Sequence, residues 1–346
     1  LHDGAFHAFT MMRDNNRTVR RAEQTFATPD HYSSTTVRTI EEIAVPEYRE
    51  KVAGLDKNTR DFNITQFGIT DERMGIVHVI GPELGITQPG IMLVCGDSHT
   101  SSHGAIGCLS FGIGASEVAH VLATQSIWQK KPKLMRINVN GMLGFGVTGK
   151  DVILAIIGQE SAACGAGYAI EYAGSGIRQL DVEGRLTVSN MTIEAGSRTG
   201  VIAPDDKTIK FVEGREYAPK NEKWERALKY WQSLPTDDEA KFDKEINIDG
   251  SAIAPMVTWG TSPEHSIRIT DPVPDPDKEG DTERRAAMKR ALEYTGLKPG
   301  QSMTDVAVDR VFIGSCTNSR LSDLRLAAQV VKGRKVKVWS MISPGS

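Results

Sequence analysis

The chain has 346 residues, 39% of them hydrophobic and 25% charged, with a formal net charge of −3. That is enough apolar material to bury a sizeable core in two or more lobes, so a peptide-sized module is excluded, and the weakly acidic balance offers no field that would draw nucleic acid or an anionic membrane. No apolar run reaches bilayer-spanning length and no basic-then-apolar leader opens the sequence, so the expected location is cytoplasmic.

In chain order, the segment from His2 to Phe9 already reads as ordered protein although Leu1 is not a Met, and the natural N-terminus is expected to lie upstream. TPDHYSST (28–35) contains the acid-imidazole dipeptide Asp30 and His31. In an extended segment neighbouring side chains point apart, so their contact requires a turn. His78 sits in the apolar stretch MGIVHVI, the usual setting of a core histidine. GIMLVC (90–95) is an apolar run of strand length, followed by the polar loop CGDSHTSSHG (95–104) and a helix from Ala115 to Gln125. That loop gathers Asp97, Ser98 and the imidazoles of His99 and His103; it is equally readable as a proton-exchanging site or as a polar turn.

Thr148 and Asp151 form a capping box for a helix running to Ala163, with Val152, Ile153, Ile156 and Ile157 as its apolar face. In YAIEYAG (168–174) the strand-borne Glu171 needs either solvent or a charged partner. Composition turns polar between Glu213 and Gly280, and DPVPDPD (271–277) reads as a linker before a charged helix from Thr282 to Tyr294. Tentative lobes are therefore 1–128, 129–300 and 301–346. Near the end, VFIG leads into SCTNS, then a helix from Leu321 to Lys332 closed by Gly333, then a strand from Val336 to Met341. Strand, polar loop, helix, strand is the signature of a parallel α/β fold, in which ligands meet the loops beyond the strands' carboxyl ends.

Of the four cysteines, Cys95, Cys108, Cys164 and Cys316, none forms a Cys-x-x-Cys pair. Cys316 stands out because it lies between a strand and a helix N-terminus, where a thiolate is favoured. A buried, unliganded thiol is the plainer reading.

Taken together, CGDSHTSSHG with its continuation to Gln125, YAIEYAGSGIRQL, SNMTIEAGSRTG, VTWGTSP and VFIGSCTNSRLSDLRLAA resemble the large subunits of 3-isopropylmalate dehydratases, a branch of the aconitase superfamily. The resemblance runs from end to end, and REYAPKNEKWERALKYWQSL with VTWGTSPEH favours this branch over true aconitases. It implies an aconitase-type iron-sulfur domain of three-layer α/β/α lobes, here without its C-terminal part. It also implies a [4Fe-4S] cluster on three cysteines, of which Cys316 matches the first while the other two form a downstream pair beyond Ser346. Histidines paired with carboxylates are implied as Asp30 with His31, His78 with Asp97, and His99 with Glu171. Ser98 and Asn318 are expected to contact substrate, with His7 nearest the place of a family Gln that is missing from LHDGAFHAF. The implied reaction interconverts 2- and 3-isopropylmalate by loss and regain of water, as in leucine biosynthesis. A small subunit carrying the swivelling domain is the implied partner, without which this chain is expected to be inactive. The alternatives are a related hydratase acting on citraconate, dimethylmaleate, homoaconitate or aconitate, or a cluster-free RNA-binding form that the acidic balance disfavours.

Overall fold

A computed structural model describes residues 1–315 and 318–346. The first lobe begins with a 3-10 turn at Asp3–Ala5 and α1 (Phe6–Asp14), then β1 (Phe26–Ala27), α2 (Pro46–Asp61) and β2 (Thr65–Gln66). α3 (Val77–Glu83) precedes β3 (Met92–Cys95), a 3-10 helix (Ser98–Ile106), β4 (Leu109–Gly112) and α4 (Ala115–Thr124). β1 pairs with β2 and β3 with β4, both in parallel. Ala8, Phe9 and Met12 of α1 pack on Val118 and Leu122 of α4 and on Leu55 of α2, so one apolar stripe from each helix closes this core.

The second lobe is built on a four-stranded parallel sheet of β5 (Lys133–Asn140), β6 (Tyr168–Ala173), β7 (Gly200–Val201) and β8 (Lys244–Asp249), in the order β7-β6-β5-β8. Its crossovers carry α5 (Gly149–Glu160), α6 (Ser175–Gln179), α7 (Val182–Asn190), α8 (Asp206–Val212) and α9 (Glu222–Trp231). Alternate residues Met135, Ile137 and Val139 of β5 meet Val152, Ile153, Ile156 and Ile157 of α5 in the largest core. The capping box forms as the sequence predicts: the Thr148 amide donates to Asp151 Oδ2 at 2.7 Å, and Asp151 Oδ1 accepts the Met256 amide at 2.6 Å.

The short hairpin β9 (Met256–Thr258) and β10 (Ser266–Arg268) departs from the expected all-parallel pattern by pairing antiparallel. Residues 271–277 are not a free linker. Val273 is buried with Trp259, and with Ala291 and Leu292 of α10 (Thr282–Thr295), and its amide donates to the Gln301 carbonyl at 2.8 Å. Four apolar side chains are enough to pin a Pro-rich segment whose composition alone reads as solvated. The chain ends in a parallel pair, β11 (Arg310–Ile313) and β12 (Trp339–Ile342), joined through α11 (Leu321–Val331). The parallel α/β architecture legible in the sequence is thus the one the chain adopts.

Glycine allows the 3-10 helix and β7 to touch. A Cβ on Gly104 would lie 2.0 Å from the Gly200 carbonyl oxygen, so only a residue without one lets the 3-10 helix seat against β7. The Ile202 amide then donates to the Gly104 carbonyl at 2.9 Å.

Candidate active site

Asp97 follows β3 at the carboxyl end of a parallel strand and caps the 3-10 helix, accepting the His99 amide at 2.7 Å. The same Oδ1 lies 3.0 Å from His78 Nε2, while Oδ2 lies 2.9 Å from His31 Nε2. One carboxylate therefore joins an imidazole from the loop after β1 to one from α3. His78 is 1% exposed and His31 40%.

His31 is aimed by a buried acid that sequence reading passed over. Asp3 accepts the backbone amides of Asp30, His31 and Tyr32 at 3.2, 3.0 and 2.8 Å, folding residues 30–32 around its carboxylate. Asp30 in turn accepts the Val77 amide at 3.1 Å and so ties this turn to the start of α3. The turn brings Asp30 Oδ2 to 3.9 Å from His31 Nδ1, a contact much looser than the one His31 makes with Asp97.

The charges follow from these contacts. Burial opposes ionisation of Asp97, but hydrogen bonds from His31, His78 and His99 together outweigh it and hold the carboxyl well below the ordinary range. The hydrogen bond to Asp97 pushes His31 up to about 9, against partial desolvation and with help from Asp30. Desolvation pushes His78 down and prevails over its bond to Asp97. At neutral pH the centre therefore holds an ionised Asp97, a neutral His78 and a protonated, solvent-accessible His31.

The expected partner of His99 is corrected. Its Nε2 lies 3.0 Å from Glu194 Oε1, just past α7, not against Glu171. Glu171 is on β6 in register with Arg136 of β5, whose Nε lies 3.3 Å away, and it accepts the Thr236 hydroxyl at 2.5 Å. The charged partner that Glu171 requires is thus its cross-strand neighbour. Burial raises the Glu194 pKa, yet the hydrogen bond from His99 and its charge leave it below the ordinary value.

His7 is exposed on α1, with its ring against Phe6. The imidazole beside His31 is that of His2, with ring centroids 4.4 Å apart. His2, Asp3 and His31 lie close enough to suggest a cation site. However, His2 Nδ1 accepts the Gly4 amide at 3.0 Å, so Nε2 carries the proton and donates to the Gly96 carbonyl at 3.1 Å. Neither nitrogen has a lone pair left for a metal.

Ser98 is exposed on the first turn of the 3-10 helix. Asn318 donates to the Thr187 hydroxyl of α7 at 2.9 Å, which docks the 318–320 loop on the helix that leads to Glu194. Cys316 lies outside the described residues. The other thiols do not suit an iron-sulfur cluster, which binds thiolates: burial raises the pKa of Cys95, Cys108 and Cys164 alike. The described residues thus furnish no cluster ligand set.

Sequence signals existed for part of what was missed. Glu194 lies inside the quoted SNMTIEAGSRTG. Asp3 and His2 depend on a long-range docking that no local pattern reports. Among known families, residues 1–346 match the sequence profile of the aconitase family (aconitate hydratase).

Proposed function

Because the chain belongs to the aconitase family, whose members are hydro-lyases and typically bind a [4Fe-4S] cluster, we propose that it is the large subunit of a 3-isopropylmalate dehydratase. In this reading a 2-hydroxy dicarboxylate loses its hydroxyl and a proton from the adjacent carbon to give an alkene and water. Rehydration then places the hydroxyl on that neighbouring carbon. The observation that carries the reading is the Asp97 centre, which presents a protonated imidazole to solvent beside a buried, permanently ionised carboxylate.

His31 is the general acid for the departing hydroxyl: Asp97 accepts from Nε2 and keeps the ring charged, and the Nδ1 proton is the one transferred. Once His31 is deprotonated, the water that adds back to the alkene in the rehydration half returns a proton to it as the hydroxyl bonds to carbon. His99 is held by Glu194, and Ser98 and Asn318 are the substrate-facing polar groups of this chain. The carbon-bound proton goes to a base on the swivelling domain of a separate small subunit, as the resemblance to two-chain dehydratases implies. Cys316 is the ligand this chain would offer to the cluster, a Lewis acid when bound. No helix among the described residues is long and apolar enough to cross a membrane, which accords with the cytoplasmic location proposed for the enzyme.

The isopropylmalate assignment draws on 215–234 and 257–265. The first of these segments buttresses α3: the Tyr217 amide donates to the Leu84 carbonyl at 2.9 Å, and Arg215 donates to that of Glu83. A second reading, a hydratase for another dicarboxylate, is favoured by one observation, His7 in LHDGAFHAF standing nearest the place of the missing family Gln. Turnover of 2-isopropylmalate, citraconate, homoaconitate and aconitate by the chain reconstituted with iron, sulfide and a small subunit separates the two. Isopropylmalate is expected to react fastest, and inactivity on it would overturn the first reading.

A further inference from the structure

Behind His78 the hydrogen bonds continue inward. His78 Nδ1 lies 3.1 Å from His103 Nε2, and His103 Nδ1 lies 2.6 Å from the Thr87 hydroxyl. Thr87 is 0% exposed and His103 2%. Read from the Asp97 end, the bonds run in one direction. An ionised carboxylate only accepts, so His78 Nε2 carries a proton. His78 is neutral, so its Nδ1 is bare and must receive the His103 Nε2 proton. His103 is also neutral, since desolvation and the neighbouring His78 push its pKa well down, so its own Nδ1 accepts from Thr87.

The backbone is shaped for this contact. The Thr87 amide donates to the Gly81 carbonyl at 3.0 Å, returning the chain onto α3. A Cβ on Gly81 would meet His103 Cε1 at 2.8 Å and Thr87 Oγ1 at 3.1 Å. Glycine is unfavourable inside a helix, and here it opens the space these two side chains occupy.

We infer that Thr87 and His103 are positioning residues that lock His78 in its Nε2–H tautomer, so that Asp97 receives a proton from behind and stays an ionised partner for His31. Neither residue touches the solvent side of the site. The inference rests on the hydro-lyase reading for its consequence in turnover, but not for the tautomer.

Two measurements on the full chain test it. Histidine ¹⁵N spectra of the wild-type protein are expected to show protonated Nε2 and bare Nδ1 at both His78 and His103. In Thr87→Val a mixture of tautomers is expected at both, because a methyl group leaves the His103 lone pair without a donor. In the reconstituted enzyme, Thr87→Val is expected to lower kcat about tenfold with KM unchanged, the loss of roughly one hydrogen bond, and Thr87→Ser to restore it. Gly81→Ala should disturb the same tautomers while keeping the hydroxyl. A proton on His78 Nδ1 in the wild type, or unchanged tautomers and kcat in Thr87→Val, would overturn the inference. If the wild-type enzyme dehydrates no hydroxy acid, the proposed function fails, while the spectra still decide the tautomer.

Discussion

Replacing Asp97 by Asn tests the electrostatic centre with almost no change of shape. The amide has one acceptor oxygen and one donor nitrogen, whereas the carboxylate accepts on both sides. The oxygen will turn toward His78 and the His99 amide, which share Oδ1, leaving the NH₂ group facing His31 Nε2. His31 then loses its acceptor and its counter-charge together, keeping the weaker pull of Asp30 at 3.9 Å and of Asp3. Its pKa should fall from about 9 by roughly 2 units, toward the ordinary 6.5. At full strength 2 units are about 2.7 kcal/mol, but His31 is 40% exposed, and solvent screening reduces its share of stability to about 1 kcal/mol. The buried bond to His78 loses its charge assistance, a further ~1 to 2 kcal/mol. NMR titration of the His31 ring gives the pKa, and denaturant unfolding monitored in parallel gives the stability change. A His31 that still titrates near 9 in Asp97→Asn would refute the assignment of its proton affinity to Asp97.

Glu194→Gln is expected to lower kcat about 100-fold by releasing His99, whereas Glu171→Gln should leave kcat within about twofold, both read from initial dehydration rates. Asp3→Ala strands three partly buried backbone amides and should cost about 2 kcal/mol in unfolding free energy, with His31 line broadening as its turn loosens. The His31 pKa is raised in the folded state, so its stabilising contribution is complete below pH 6.5 and disappears as pH rises through about 9, and unfolding midpoints should fall across that window. Gly104→Ala drives a methyl to 2.0 Å from the Gly200 carbonyl; soluble yield and amide-exchange protection of β7 should both drop.

Elements whose signals are local were legible in the sequence. The helix capped by Thr148 and Asp151, and the strand-loop-helix at 90–125, need only short-range periodicity and cap chemistry. The loop at 95–104 could be marked as chemical because one strand end carries an acid, a hydroxyl and imidazoles. What escaped was pairing across distance. Which carboxylate faces His99 is decided by α7 packing against the 3-10 helix, and nothing in YAIEYAG distinguishes a site acid from one satisfied by Arg136 on the next strand. Residues 271–277 misled for the converse reason, because their burial depends on partners at Trp259 and on α10. His7 was singled out by its place in LHDGAFHAF, and its exposure follows from the face of α1 it occupies: Ala8 and Phe9 turn inward and His7 outward.

The most direct test is the dehydration rate of His31→Asn beside that of the wild-type enzyme, both with full iron content and a small subunit. An enzyme that draws the leaving group's proton from His31 should lose at least about 100-fold in kcat on this substitution. Dehydration by His31→Asn at the wild-type rate would contradict it.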